Sequence, residues 1–324
     1  MPVDSGHDSQ RLAPHCPLTF ERQTTPYSRQ VITMKRPLSM QRRNITVRDG
    51  RFDIAVEESG RIGTPCVLLH GLGECSGVWR TLTEAASDEH RFVSIDLRGH
   101  GDSSWDPERD YDSRTLAADV LEVLLAMNIR MPVLIGHSLG GSVALQLNVM
   151  LQQFVSGLVM VDFGPESDAS GSQRVRADIR ETPARFDTID GYVSWMLDRR
   201  PLASGRALRN LAVHALRRTP TGAFEPKLDR HVADESPRNM EPRAEQLWRM
   251  LESVRCPTLV VRGVGSAVLR PQVAQRMAHH ALQEGQLATI SRAGHAVMTD
   301  NPDEFNRTVH AFLASLPLAA SGGQ

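Results

Sequence analysis

Apolar and polar positions form two kinds of pattern along the chain, and both begin near residue 44. The segment NITVRDGRFDIAVEESG alternates apolar and polar residues on both sides of Asp49-Gly50, a dipeptide typical of a tight turn between antiparallel strands. Later runs are continuously apolar, as in parallel strands covered on both faces, and they lie at residues 66–70, 92–96, 133–136, 158–162, 258–262 and 287–290. Helix-like stretches such as residues 116–127 separate them. We therefore predict an α/β fold, with a mostly parallel, doubly wound sheet and a leading antiparallel hairpin.

One interval breaks this alternation. Between Asp162 and Thr258 there is no convincing strand, and helix-like pieces at residues 189–197 and 203–216 are separated by prolines. A structureless loop of this length is improbable in a compact domain. We therefore expect residues 164–249 to form a helical cap inserted into a core made of residues 44–163 and 250–318. The charges of this insertion nearly balance, so its composition gives no reason to infer an anionic substrate.

Residues 1–43 differ from the rest of the chain. They carry seven Lys or Arg against three Asp or Glu, show no periodicity, and lack the apolar stretch of a secretory signal. We expect a disordered tail or a misassigned start here, and the alternative is a targeting or docking arm.

Composition narrows the class of protein. Apolar residues make up 40% and charged residues 23% of the 324 positions, and the net charge is −1. These values indicate a soluble globular protein and give no sign of a nucleic-acid partner or a membrane surface. No apolar run approaches the roughly 18 residues of a membrane span. The four cysteines are far apart and lack metal-ligand spacing, so we expect buried thiols in a reducing, cytoplasmic compartment and no bound metal.

The stretch that follows the third apolar run carries the clearest chemical signal. Gly136-His137-Ser138-Leu139-Gly140 reads G-x-S-x-G, with a strand-like run before it and a helix-like run after it. A sharp strand-to-helix turn of this kind needs very small neighbours and exposes the serine hydroxyl. The backbone N–H of Leu139, at the start of the helix, then points to the place where an oxyanion would form.

Four motifs together resemble the α/β-hydrolase superfamily over nearly the whole of residues 44–316. They read LLHGLGECSGVW, DLRGHGDSS, GHSLGG and AGHAVMTDNPDEF, in this order. The resemblance implies that Ser138 is a nucleophile, that His295 is its base, and that the N–H of Leu72 is a second oxyanion donor. It implies no metal and no organic cofactor.

The third member of the expected triad is missing from its usual place. The superfamily usually carries an acid in a loop resembling Arg-Gly-x-x-Ser-Asp after the strand at residues 258–262, and this chain has Ala267 there. One hypothesis is that Asp162, at the end of the preceding strand, is the acid, with Glu166 a weaker candidate. A second is that the site is impaired. A third is that the fold serves a reaction that needs only Ser138 and His295, or a binding role.

These residues favour a serine hydrolase whose partner is a small molecule with a carbonyl group: a carboxylic ester, a lactone or a thioester. Ser138 would form an acyl-enzyme, and the N–H groups of Leu72 and Leu139 would stabilise the oxyanion. Three alternatives stay open on the same fold. They are a binding protein or receptor, a cofactor-independent lyase or dioxygenase, and a carbon–carbon bond hydrolase.

Overall fold

An eight-stranded sheet runs through the part of the chain that the computed structural model describes, which is residues 40–152, 154–234 and 243–317. Its strands are β1 (Gln41–Val47), β2 (Phe52–Ser59), β3 (Pro65–Leu69), β4 (Arg91–Ile95), β5 (Val133–His137), β6 (Gly157–Val161), β9 (Thr258–Gly263) and β10 (Gly285–Ile290), and two further strands, β7 (Leu216–Arg218) and β8 (Phe224–Pro226), pair separately. The order in the sheet is β1-β2-β4-β3-β5-β6-β9-β10. All neighbours from β4 to β10 in this order are parallel, whereas β2 pairs antiparallel with both β1 and β4. The predicted α/β class and the leading hairpin are therefore confirmed.

Ten α-helices accompany the strands within the described residues. They are α1 (Arg80–Ala86), α2 (Ser113–Ala126), α3 (Leu139–Leu151), α4 (Ala169–Glu181), α5 (Ile189–Arg199), α6 (Gly205–Ala215), α7 (Ala244–Glu252), α8 (Pro271–Arg276), α9 (Val297–Asp300) and α10 (Pro302–Ser315). Local sequence explains several of their starts. The Asp112 carboxylate accepts hydrogen bonds from the first turn of α2, and Pro302 opens α10, where a missing N–H costs nothing. No helix in the described part of the chain is both long and apolar enough to cross a membrane.

The turn between β1 and β2 has the conformation that its sequence predicts. The Arg51 N–H donates to the Arg48 carbonyl at 3.2 Å, and the two central residues, Asp49 and Gly50, have φ of 53° and 88°. Positive φ at both positions is typical of hairpin turns. Strand β1 begins at Gln41, so the predicted boundary after residue 43 falls inside this strand and is wrong by three residues. Residues 1–39 of the predicted tail lie outside the described residues.

Two apolar cores lie on opposite faces of the sheet, which explains the continuous apolar runs. In β3, Val67 and Leu69 belong to one core and Cys66 and Leu68 to the other. Side chains from α2, α3, α7 and α8 fill the first core, and side chains from α1, α5, α6 and α10 fill the second. Because successive strand residues face opposite sides, both sets must be apolar.

The insertion between β6 and β9 is only partly helical. It holds α4 to α7 as well as an antiparallel hairpin made of β7 and β8. The expectation that it contains no strand is therefore wrong, because strands of three residues are too short to show alternation. Helix α7 packs into the first core through Leu247 and Leu251, so the predicted end of the insertion at residue 249 cuts this helix.

Candidate active site

Ser138 occupies the single-residue corner between β5 and α3. Its φ of 50° and ψ of −114° are strained for a residue with a side chain. A Cβ on Gly136 would lie 2.1 Å from the Gly140 carbonyl oxygen, and a Cβ on Gly140 would lie 2.1 Å from that of Leu69. Both glycines are therefore required by close backbone contact. The Ser138 N–H donates to the Val161 carbonyl at 3.0 Å, which ties the corner to the neighbouring strand.

The imidazole of His295 lies between Ser138 and Asp162. Its Nε2 is 3.1 Å from Ser138 Oγ, and its Nδ1 is 2.7 Å from Asp162 Oδ2. A carboxylate accepts hydrogen bonds, so Nδ1 carries the proton and Nε2 is left to accept one from the serine hydroxyl. Asp162 directly follows β6 and is fully buried. Burial lowers the pKa of His295 below its ordinary value, although the bond to Asp162 opposes this effect.

The loop after β9 holds the Asp162 carboxylate instead of supplying an acid itself. Ser266 Oγ donates to Asp162 Oδ2 at 2.5 Å, and the Gly263 N–H donates to Oδ1 at 3.3 Å. The same hydroxyl accepts the N–H groups of Val268 and Leu269 at 3.1 Å each. The serine next to Ala267 therefore orients a carboxylate that comes from the adjacent strand. Sequence reasoning missed Ser266, because nothing in the motif indicated a hydroxyl with this role.

The Arg262 side chain stabilises the conformation of this loop. Its guanidinium donates to three carbonyl oxygens of the loop, those of Leu269 at 2.7 Å, Val264 at 3.1 Å and Ser266 at 3.3 Å. Ser266 lies in the loop segment that these three hydrogen bonds hold, so they also hold the backbone from which its hydroxyl projects.

Glu166, the weaker candidate for the acid, points elsewhere. Its carboxylate accepts from Trp248 Nε1 at 2.9 Å and lies 3.4 Å from Arg276 Nη1. Asp162 is thus the candidate carboxylate that contacts the imidazole, and Glu166 links the insertion to the first core.

Two further sequence-predicted residues, Leu72 and Leu139, line the same cavity as Ser138 and His295. The loop that carries Leu72 is braced by His70. The Leu97 N–H donates to His70 Nε2 at 2.9 Å, so Nδ1 carries the proton and donates to the Gly71 carbonyl at 2.8 Å. Burial lowers the pKa of His70, in keeping with a neutral ring that supports the loop.

A buried ionic network, which no sequence motif indicated, joins this loop to the insertion. Glu74 Oε2 lies 2.9 Å from His137 Nδ1, and Arg200, at the end of α5, donates to Glu74 Oε1 at 2.9 Å. His137 Nε2 lies 3.0 Å from the carbonyl oxygen of His295. Burial alone would raise the pKa of Glu74, but His137 and Arg200 hold this pKa well below its ordinary range. The network therefore connects the insertion to the backbone of the imidazole residue.

Two adjoining cavities open beside the imidazole. The smaller, of about 170 Å³, contacts Ser138, Leu139 and Asp162. The larger, of about 270 Å³, lies between the Leu72 loop and the insertion, and Ala267 is part of its wall. His295 and Leu72 border both cavities. Both cavities thus offer room beside the His295 imidazole, and the smaller one reaches the Ser138 hydroxyl.

Within the described residues, one cluster away from this site has the side chains of a metal site. The ligand atoms of Glu89, His90 and His310 lie within 4.8 Å of one another, and Glu89 is exposed. The cluster lies at the start of β4, whereas Ser138 lies at the end of β5. None of its members contacts Ser138, His295 or Asp162.

The sheet order, the strained serine and the imidazole beside it define the class of α/β hydrolases. A model of the alpha/beta hydrolase family matches residues 66–308, three quarters of the chain. The chain therefore belongs to this family, and it is a hydrolase.

Named relatives and solved structures agree with this assignment. Esterase Rv0045c of Mycobacterium tuberculosis is 24% identical over 243 residues, which cover 73% of this chain and 78% of that protein. Protein phosphatase methylesterase 1 of Mus musculus is 32% identical over 165 residues, which cover 48% of this chain and only 42% of the methylesterase. The crystal structure of E-2-(acetamidomethylene)succinate hydrolase has a TM-score of 0.74 and 22% identity, over 85% of this chain and 100% of that one. At this identity the structural likeness concerns the fold.

Proposed function

We propose that the chain hydrolyses carboxylic esters through an acyl-enzyme on Ser138. The observation that carries the proposal is the continuous chain of contacts from Ser138 Oγ to His295 and on to Asp162, at 3.1 and 2.7 Å. Lactones and thioesters present the same carbonyl carbon to the serine and would follow the same steps. The names of the esterase and methylesterase relatives point in the same direction.

In the first half-reaction, His295 Nε2 takes the Ser138 proton while Oγ bonds to the carbonyl carbon. The carbonyl π electrons move to oxygen, and the N–H groups of Leu72 and Leu139 stabilise the resulting oxyanion. Collapse of this intermediate breaks the bond to the leaving oxygen, which receives the proton from the imidazolium. Asp162 stabilises that imidazolium and keeps the ring in the required tautomer.

In the second half-reaction, water replaces the departed alcohol. His295 takes one proton from this water, the hydroxide attacks the acyl carbon, and the second intermediate expels Ser138 Oγ. The proton returns to the serine, and the carboxylic acid leaves. Helices α4 and α5 of the insertion, which line the larger cavity, act in this scheme as a cap over the substrate.

The alternative of a binding protein was motivated by Ala267. The contact between Asp162 and His295 supplies a carboxylate to the imidazole by another route and so removes the main reason for that alternative. A binding protein has no need of a serine held at a strained φ of 50°.

Labelling with a fluorophosphonate probe tests the proposal directly. We expect the wild-type protein to label, Ser138→Ala to lose the label, and Ser315→Ala, a change of an exposed serine at the end of α10, to label like the wild type. Hydrolysis of a neutral ester such as ethyl butyrate should follow the same pattern. A folded wild-type protein that neither labels nor hydrolyses a series of esters would contradict the proposal.

A further inference from the structure

Among the described residues of the insertion, one arginine reaches the cavity that contains Ser138. Arg176 lies in the middle of α4 and lines this cavity together with Ser138, Leu139 and His295. Its Nη1 atom is buried and has no hydrogen-bond partner among the described residues. Buried polar atoms in proteins nearly always form a hydrogen bond, so a buried nitrogen without one is unusual.

The neighbouring arginines of the same helix are already engaged. Arg174 lies 3.1 Å from Asp178, one turn further along α4, and Arg180 donates to the Ala233 carbonyl at 3.1 Å. Arg176 therefore differs from them both in its place on the wall of the cavity and in its lack of a protein acceptor for Nη1.

The described wall of the cavity holds nothing that would neutralise this guanidinium. The one acidic side chain in it is Asp162, whose carboxylate is bonded to His295 and Ser266. The remaining wall is apolar or carries hydroxyl groups, and it includes Leu139, Ser142, Phe163, Ser172, Val232 and Leu247. The Arg176 side chain is only partly buried, but its Nη1 is a buried donor without an acceptor among the described residues, and an anion that enters the cavity would pair with it.

We infer that Arg176 binds a carboxylate on the non-reacting part of the substrate. This inference rests on the proposed ester hydrolysis and narrows its substrate class to esters that carry one acidic group. A carboxylate presents oxygens that accept charge-assisted hydrogen bonds from a guanidinium, which are stronger than bonds between neutral groups. The balanced charge of the insertion concealed this preference, because the preference depends on where one arginine lies.

Matched ester pairs provide the test. One set consists of the monoethyl esters of succinic, glutaric and adipic acid, and each is compared with the ester whose free acid is replaced by a carboxamide. The second set compares 4-acetoxybenzoate with 4-acetoxybenzamide and places the acid on the leaving group. We expect wild-type kcat/KM to favour the acid over the amide by about 10- to 100-fold in at least one pair, as expected for hydrogen bonds to a charged group.

Variants assign this preference to the guanidinium. Arg176→Gln should lower kcat/KM for the acid far more than for the amide, so that the preference for the acid disappears, whereas Arg176→Lys should keep part of it. Arg206→Gln, which changes an arginine of α6 with an 80% exposed side chain, is the matched control and should change neither rate. Equal loss on acid and amide with Arg176→Gln would overturn the inference.

A binding measurement keeps the inference testable without turnover. Ser138→Ala should bind the monoethyl ester more tightly than its carboxamide, and added salt should weaken that difference. If Ser138 labels and neutral esters are hydrolysed but neither ester set nor this binding favours the acid, the inference fails while the proposed function stands. If Ser138 does not label and no ester is hydrolysed, the proposed function itself fails.

Discussion

Replacing Asp162 by Asn tests whether the acid of this site comes from β6. The carboxylate accepts three donors: the His295 ring and the Ser266 hydroxyl at Oδ2, and the Gly263 N–H at Oδ1. An amide satisfies only part of this set. With its oxygen toward His295, its NH2 group opposes the Gly263 N–H. With its NH2 group toward His295, the ring must carry its proton on Nε2, where it no longer accepts the Ser138 proton.

The expected loss is large because the second arrangement removes the base. A change of aspartate to asparagine that stabilises the wrong imidazole tautomer costs about 10⁴ in kcat, which corresponds to about 5.4 kcal/mol of transition-state stabilisation. Asparagine has nearly the same size as aspartate, so the shape of the cavity is kept and KM should stay within a few-fold of the wild type. Steady-state hydrolysis of a neutral ester, with the rate of fluorophosphonate labelling beside it, measures both quantities.

Ala267→Asp is the matched comparison, since it restores an acid at the position that is usual for the superfamily. With Asp162 in contact with His295, this variant should change kcat by less than about tenfold. Two results would refute the assignment of Asp162. One is an Asp162→Asn enzyme that keeps more than about a tenth of wild-type kcat, and the other is an Ala267→Asp enzyme that gains orders of magnitude.

Two further predictions follow from the histidine and the ionic network. Burial lowers the pKa of His295, and only the neutral ring accepts the serine proton. We therefore expect kcat/KM to fall on acidification only below the ordinary histidine pKa of 6.5. A pH–rate profile whose acid limb is centred above this value would contradict the argument. Glu74→Gln should lower the free energy of unfolding, measured by urea denaturation, by about 2–3 kcal/mol, because it leaves the charge of Arg200 without its partner. Adding Arg200→Gln should recover part of this loss. If the losses of the two single variants simply add in the double variant, the coupling is refuted.

The sequence predicted the fold, Ser138 and His295 for physical reasons that can be named, and it offered Asp162 as one of several hypotheses for the acid. Continuous apolar runs mark strands with two covered faces, and the glycines around Ser138 mark a corner that leaves no room for a Cβ. The position of the acid could not be read in the same way, because it depends on which strands are neighbours. Strands β6 and β9 pair in parallel, with Val161 opposite Val261, so Asp162 and the loop after β9 emerge side by side.

Contacts between residues that are far apart in the chain could not be predicted from the sequence. Glu74 and Arg200 are 126 positions apart, and no local pattern indicates that they meet. The β7–β8 hairpin was missed because strands of three residues carry too little periodicity. Arg176 looked like any other charge of an amphipathic helix, and only the structure shows that it lines the Ser138 cavity and that its Nη1 has no acceptor among the described residues.

The placement of the carboxylate on β6 also frees the position beside it. Ala267 contributes to the wall of the larger cavity, so the residue at the usual position of the acid shapes the space beside His295 instead. A classification that identifies active members of the family by an acid at position 267 would place this protein among the inactive ones. The better criterion is whether a carboxylate contacts the imidazole in the structure, whether that carboxylate follows β6 or β9.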